Sequence, residues 1–115
     1  MLTPLDKLNA KVFSEQLHTQ FKVKPGSAEP LILEPMMLEL IEVKHGDTSP
    51  QIELFLLHFR GPSAPRLPQS IHRLEHDKLG SFEIFLTAIG AEPEGILYES
   101  VFHRFRKSAP ADSKA

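Results

Sequence analysis

The fold of this chain is decided by the stretch Gln51-Ile52-Glu53-Leu54-Phe55-Leu56-Leu57-His58-Phe59-Arg60, which Gly61-Pro62 terminates. Strand side chains alternate between two faces, so Ile52, Leu54 and Leu56 point one way while Phe55, Leu57 and Phe59 point the other. A strand that is apolar on both faces needs cover on both. The chain offers one good helix for one face. The sequence therefore predicts that the other face is closed by the sheet curling on itself or by a second protein.

Composition limits the class of protein. A chain of 115 residues is the size of one domain with a single core. No apolar run approaches the roughly 20 residues that span a bilayer, so no membrane association is predicted. The absence of cysteine excludes a disulfide framework and a thiolate metal site, and it favours a cytoplasmic location. A net charge of −2 argues against broad nucleic-acid binding, which needs a surplus of Lys and Arg.

A helix is predicted at the start of the chain. Thr3 is the expected N-cap, Pro4 suits the first helical position, and Asp6 places an acid in the first turn. The helix should run for about three to four turns, because apolar residues continue at three- and four-residue spacing. That stripe consists of Leu5, Leu8, Val12, Phe13 and Leu17. It is the expected cover for one face of the sheet.

From Gln20 onward the apolar period changes to two, which is typical of strands. Strands are predicted over residues 20–23, 32–43 with a bend at Pro35, 51–60, 70–75, 81–89 and 96–105. Short loops between them favour an antiparallel meander. We expect a mainly β (α+β) fold in which the N-terminal helix packs on a curved antiparallel sheet or small open barrel of about five to seven strands. We expect residues 1–106 to form the single domain and residues 107–115 to be a disordered tail.

Alternation assigns the apolar side chains of the sheet to two faces. The even face carries Ile52, Leu54, Leu56, Phe82, Ile84, Leu86, Ile96, Tyr98 and Phe102. The odd face carries Phe55, Leu57, Phe59, Phe85, Ile89, Leu97, Val101 and Phe105, and it also holds Glu53, Glu83, Glu99 and His103, so it is only partly dry. Two explanations stay open: a curled sheet that fills its own concave side, or an interface for a partner or a second copy. Met36 and Met37 fit either.

The second half of the chain contains the motifs Phe59-Arg60-Gly61-Pro62, Leu67-Pro68-Gln69, Arg73-Leu74-Glu75-His76, Leu79-Gly80, Phe85-Leu86, Tyr98-Glu99 and Val101-Phe102. With these motifs the chain resembles an uncharacterised bacterial family, a domain of unknown function whose genes are associated with phage-tail-collar-type fibre proteins. The resemblance covers about residues 5 to 105 and is specific from Phe59 onward. It implies a small bacterial β domain that is accessory to a fibre or tail-like assembly.

The polar residues predict no catalytic or metal centre and no cofactor. Glycine-rich phosphate loops and nucleophile elbows are missing from the sequence. His72 and His76 lie four apart, a spacing that joins two ligands on a helix but not in a strand, and His58 and His103 are interpreted as ordinary polar residues. Tyr98, Glu99 and His76 are the polar residues to which a structural or site role is assigned, with Glu99 expected to bond a turn and fix the strand register.

The proline-rich loop after the central strand is the predicted interaction loop. Its residues are Arg60, Gly61, Pro62, Arg66, Leu67, Pro68 and Gln69. Proline makes such a loop stiff, and stiffness lowers the entropy lost on binding, which suits recognition. A rigid crossover between strands is the equal alternative. The basic segment 103–107 contains an aromatic residue, as a single-strand nucleic-acid contact would, but it is short and is interpreted as a solvated strand end.

These observations favour a non-enzymatic protein-interaction or assembly module that binds a protein partner or self-associates. The alternative is a small-ligand-binding barrel that uses its interior. A third reading is a minor enzyme that uses Glu99 and a histidine.

Overall fold

A computed structural model describes residues 2–24, 36–46, 51–64 and 66–105, with position 6 described by its backbone alone. Within these residues, two short helices precede six strands. They are a 3₁₀ turn (Leu5–Lys7), α1 (Ala10–Ser14), β1 (Gln20–Val23), β2 (Met36–His45), β3 (Ile52–Gly61), β4 (Ser70–His76), β5 (Gly80–Glu92) and β6 (Gly95–Phe105). The predicted mainly β class is confirmed. The predicted strand segment before Met36 with its bend at Pro35, and the tail 107–115, lie outside the described residues.

The sheet closes into a barrel in the order β1-β2-β3-β6-β5-β4, with every neighbouring pair antiparallel. The last strand in that order, β4, pairs with β1 through Lys22↔Glu75 and Val23↔Leu74. The barrel is thus closed where an open one was expected. The predicted meander fails at one connection, because β3 pairs with β6 rather than with β4. The chain must therefore cross one mouth of the barrel between β3 and β4.

The barrel interior mixes the two faces that alternation assigned. Phe55 pairs with Phe102 and Phe59 with Tyr98 across β3 and β6, so odd positions of β3 share a face with even positions of β6. The buried interior consists of Phe21, Val23, Met36, Leu38, Leu40, Phe55, Leu57, Phe59, Leu74, Phe82, Ile84, Leu86, Ile96, Tyr98 and Phe102. The face assignment was wrong because parity within a strand does not carry over to its neighbour. Only the pairing register decides that.

The predicted long helix is instead two short pieces, which corrects the assignment of Thr3 as its N-cap. Leu8 is extended between the two pieces, and the Asn9 side chain caps α1 by accepting from the Val12 N–H at 2.9 Å. The Thr3 hydroxyl does not cap a helix and instead donates to the Leu79 carbonyl at 2.9 Å. The break has a packing reason, because it lets both Leu8 and Phe13 reach the core.

The N-terminal pieces close one end of the barrel. The Phe13 ring is fully buried, and its centroid lies 5.7 to 6.4 Å from those of Phe21, Phe55, Phe82 and Phe102. Separations of this size suit attractive tilted and edge-to-face contacts. α1 therefore acts through one inserted ring rather than through a long apolar stripe.

Arg104 at the end of β6 fastens these pieces to the sheet. Its guanidinium donates to the carbonyls of Leu5 at 2.8 Å and Leu8 at 2.6 Å, and to Glu53 at 3.2 Å. It also lies 5.3 Å from the ring centroid of Phe102, within cation–π range. One side chain thus joins the 3₁₀ turn, β3 and β6.

Within the described residues, no helix is long and apolar enough to cross a membrane.

Phe13→Ala should lower the free energy of unfolding by about 3–5 kcal/mol, because it empties the space among the buried rings. Urea denaturation monitored by circular dichroism measures this change. Lys11→Ala, at an exposed position of the same helix, is the control and should change the free energy by less than about 0.5 kcal/mol. Equal effects of the two substitutions would contradict the assigned role of Phe13.

Candidate functional site: an apolar strip beside an open cleft

The outer surface of the barrel carries a row of apolar side chains, here named the apolar strip: Leu56, Val101, Phe85 and Ile71. Leu56 pairs with Val101 across β3 and β6, and Ile71 pairs with Phe85 across β4 and β5. Phe85 and Val101 line the same cleft, which joins the two halves of the row. Exposed fractions are 54% for Val101, 47% for Phe85 and 55% for Ile71. The strip is therefore an apolar surface that crosses four strands.

A cleft of about 450 Å³ opens along this strip between β5 and β6. The two strands pair from Glu92↔Gly95 to Thr87↔Glu99, and the pairing stops there. Residues 80–86 of β5 and 100–105 of β6 remain strands through their other neighbours, β4 and β3. The β5–β6 hairpin therefore splays in the half that lies away from its turn. There, each strand presents an unpaired backbone edge to the cleft.

Alternation fixes which backbone groups face the cleft. The Ser81 carbonyl accepts from the Thr3 N–H on the side away from β4, and Thr87 pairs with Glu99 on that same side. Because strand backbone groups alternate in direction, Glu83 and Phe85 also direct their N–H and C=O groups to that side. The same alternation from Glu99 onward brings the backbone groups of residues 101 and 103 to the opposite wall.

The N-terminal segment occupies the end of the cleft that lies farthest from the β5–β6 turn. Leu2 forms a parallel bridge with Ser81, and the Thr3 N–H donates to the Ser81 carbonyl at 2.6 Å. The chain then turns into the 3₁₀ segment, where Leu5 lines the cleft and remains 39% exposed. An extended segment of this protein thus already uses the first position of the β5 edge.

A row of polar side chains flanks the apolar strip on the side nearer the β5–β6 turn. His58 Nε2 lies 3.0 Å from Glu99 Oε2, and His58 Nδ1 lies 3.4 Å from Glu42 Oε1. Glu99 therefore bonds a histidine on the neighbouring strand β3, not a turn as predicted. His103 is exposed on β6. Among the described residues, no group of three or more His, Cys, Asp or Glu could hold a metal ion.

The predicted interaction loop crosses the second mouth of the barrel and is fastened there. Leu67 is buried, and its N–H donates to the Tyr98 hydroxyl at 2.9 Å. The Pro68 carbonyl accepts from His72 Nε2 at 2.7 Å, while His72 Nδ1 is buried and unpaired. Burial raises the pKa of Tyr98, and the Leu67 hydrogen bond and the Arg66 charge oppose that shift. Tyr98 and Leu67 close this end as Phe13 closes the other.

The other residues of the predicted loop divide into packed and exposed ones. Gly61 is buried, and a Cβ there would approach Leu38 and Tyr98. Arg60 lies on β3 with its guanidinium 3.7 Å from Glu92. Pro62, Arg66 and Gln69 are exposed, and Pro68 is half-buried. The loop is a rigid crossover in its packed part, and its use in recognition stays a prediction.

His76 is buried and has a defined tautomer. Its Nδ1 accepts from the N–H groups of Lys78 at 3.0 Å and Leu79 at 3.3 Å, so the proton resides on Nε2, which donates to Thr19 Oγ1 at 2.8 Å. Thr19 in turn donates to the Gln16 carbonyl at 2.7 Å. Burial lowers the pKa of His76, and Asp77 partly opposes this shift. The imidazole therefore fastens the end of the helical segment to the β4–β5 turn.

Sequence reasoning did not single out the strip, although its signal was present. Phe85 and Val101 were placed on the odd face, which also carries Glu83, Glu99 and His103. Those polar residues mark the solvent side of β5 and β6. Reading them as the outer face would have separated Phe85 and Val101 from the interior set.

These features define a closed antiparallel barrel, plugged at both ends, whose outer surface carries an apolar strip beside an open cleft. A family model described as "Domain of unknown function (DUF6916)" matches residues 8–102, so the chain belongs to that family. No curated protein and no solved structure matches the chain.

Tyr98→Phe should lower the free energy of unfolding by about 1–3 kcal/mol, because it leaves the buried Leu67 N–H without its acceptor. Urea denaturation measures the loss, and amide hydrogen exchange should show faster exchange at Leu67. Gln69→Ala, at an exposed position of the same loop, is the matched control. Unchanged exchange at Leu67 in the Tyr98 variant would contradict the assignment.

The lowered pKa of His76 predicts a loss of stability in acid. The unfolded chain takes up the proton near the ordinary value of about 6.5, whereas the folded chain resists it, so stability is full above that pH and falls below it until the folded pKa is passed. Denaturation from about pH 8 to about pH 5 should show this slope. His76→Gln should flatten it, and the exposed His103→Gln should not. An unchanged slope in the His76 variant would refute the assignment.

Proposed function

We propose that this domain is a non-enzymatic protein-interaction module that holds a protein partner, or a second copy, against the apolar strip. The observation that carries the proposal is the contiguous exposure of Val101, Phe85 and Ile71, each about half exposed, on three neighbouring strands. Contiguous apolar surface of this kind is characteristic of binding sites, and aromatic residues are enriched at the cores of interfaces.

The filled interior supports an interaction surface over a ligand-binding barrel. Phe13, Phe21, Phe59 and Phe82 are fully buried inside the barrel, and the Phe55 and Phe102 rings stack at 4.7 Å. Small barrels commonly fill their interiors with side chains in this way. The barrel thus uses its interior for stability, which leaves the outer surface for recognition.

The placement of Glu99 and His58 supports the non-enzymatic part of the proposal. An enzyme reading would depend on these two groups, which are partly buried on the outer surface of the sheet, with side-chain exposures of 15% for His58 and 29% for Glu99. Glu99 is engaged with His58, and Glu83 is engaged with Arg73 at 3.0 Å. The Arg73–Glu83 ion pair and the His58–Glu99 hydrogen bond each join neighbouring strands, and cross-strand pairs of this kind stabilise strand pairing.

A finer hypothesis is a cytoplasmic accessory role in a bacterial fibre or phage-tail-like assembly. It is supported by the motif resemblance described above, of which Phe59-Arg60-Gly61-Pro62 and Tyr98-Glu99 are parts. The apolar strip provides a surface through which a contact with such an assembly could form.

Phe85→Asp should abolish binding through the strip, because a carboxylate there would be desolvated by any partner that covers it. Ile89→Asp is the matched control, since Ile89 lies on the same strand with the same 47% exposure but outside the strip. Light scattering over a wide concentration range measures self-association. Quantitative affinity capture from the host compares the proteins that each variant retains.

The expected result is that wild type and Ile89→Asp self-associate or retain the same host proteins, whereas Phe85→Asp loses that association by about 30-fold or more. Circular dichroism verifies that both variants are folded. Equal behaviour of folded Phe85→Asp and Ile89→Asp would refute the proposal.

A further inference from the structure

The geometry points to strand addition as the mode of binding: an extended polypeptide segment of the partner enters the cleft between β5 and β6 and pairs with their free backbone edges. This inference rests on the proposed function, because it places the same partner on the apolar strip. It adds the conformation of the bound segment and the side chains that it should carry.

The first line of evidence is the chemistry of the cleft walls. Residues 83 and 85 on one wall and 101 and 103 on the other direct N–H and C=O groups into a cleft where the ladder between β5 and β6 has ended. Such an edge is a template for another strand. A polypeptide backbone supplies alternating donors and acceptors at the same spacing, so it is the ligand class that fits.

The second line of evidence is that an extended segment already pairs with this edge. Leu2 bridges Ser81 and the Thr3 N–H bonds the Ser81 carbonyl, in parallel orientation to β5. The next backbone groups on that side of β5 belong to Glu83 and Phe85. A partner strand would continue the pairing that the N-terminal segment begins.

Charge and apolarity around the cleft specify the side chains of the bound segment. A residue level with Phe85 and Val101 should be apolar. Two residues away on one side, the segment lies level with Glu83, whose side chain is 43% exposed. On the other side the Thr87↔Glu99 pair closes the cleft, so the segment passes onto the outer surface beside Glu99, whose side chain is 29% exposed. Each carboxylate contacts its neighbour through Oε2, so Oε1 can receive a cation. The segment is therefore an apolar residue flanked at both second positions by Lys or Arg.

Basic side chains near the cleft do not oppose this pattern. Arg73 and His58 are engaged with the two carboxylates, and Arg104 is engaged with Glu53 and with backbone carbonyls. His103 is the remaining titratable group among the cleft-lining residues, and it is exposed to water. The charges of the side chains around the cleft thus favour a basic segment over an acidic one.

The test uses a fluorescein-labelled peptide of sequence Thr-Lys-Thr-Val-Thr-Lys-Thr, with binding measured by fluorescence anisotropy against the intact protein. A second peptide replaces both Lys residues with Glu. Two further peptides carry backbone N-methyl groups, one at Lys, Val and Lys, the other at the Thr residues between them. We expect the basic peptide to bind, the acidic peptide to bind at least about tenfold more weakly, and N-methylation of at least one set to cost about tenfold or more.

Protein variants and amide exchange locate the bound peptide. Phe85→Asp and the double variant Glu83→Gln/Glu99→Gln should weaken binding by about tenfold or more, whereas Ile89→Asp and Glu92→Gln should not. On peptide addition, the amides of Glu83, Phe85, Val101 or His103 should gain protection from hydrogen exchange. The amides of Ile84 and Phe102, which face β4 and β3, should not change.

Binding that survives both N-methylated peptides, or that leaves the cleft amides unprotected, overturns strand addition. No binding at millimolar peptide overturns it as well. These failures are distinguishable from failure of the proposed function, which is judged by Phe85→Asp against Ile89→Asp with the natural partner or a second copy. If Phe85→Asp loses the partner while peptide binding is insensitive to N-methylation, the strip is an interface formed by side chains. That result would refute the bound strand.

Discussion

The structure depends on one packing constraint: the barrel must enclose a cluster of large rings centred on Phe13. Phe13 reaches in from α1 and contacts rings on β1, β3, β5 and β6, so four strands converge on one side chain. The stacked pair of Phe55 and Phe102 lies beside it and carries the guanidinium of Arg104. Curvature of the sheet follows from the need to surround this cluster.

Closure around the rings satisfies only one face of β3. Phe55, Leu57 and Phe59 are fully buried, whereas Leu54 and Leu56 remain half-exposed on the outside. The two explanations that the sequence left open are therefore compatible, since the sheet curls on itself and still presents apolar surface. The splaying of β5 from β6 extends that surface and adds free backbone edges to it.

Much of the fold could be predicted because strands and turns are encoded locally. The alternation in β3 and the turn at Asp77–Gly80 identify their elements from a few residues. The broken helix could not be predicted, because the three- and four-residue spacing of the apolar stripe suits a continuous helix. Leu8 and Phe13 are five residues apart and would diverge on such a helix, and both are buried because the chain is extended at Leu8 and α1 begins after Asn9. The strip and the cleft depend on the β3–β6 and β5–β6 registers, which link residues distant in sequence. Composition carries no information about them.

Arg104 has a consequence for the order of folding. It bonds the carbonyls of Leu5 and Leu8, contacts that span 99 and 96 positions of the chain. Contacts so distant in sequence form only after a large loop has closed, and domains dominated by such contacts fold slowly. The barrel end around Phe13 therefore cannot be completed on a ribosome until β6 has emerged. Until then, the rings that later fill the barrel are available to chaperones.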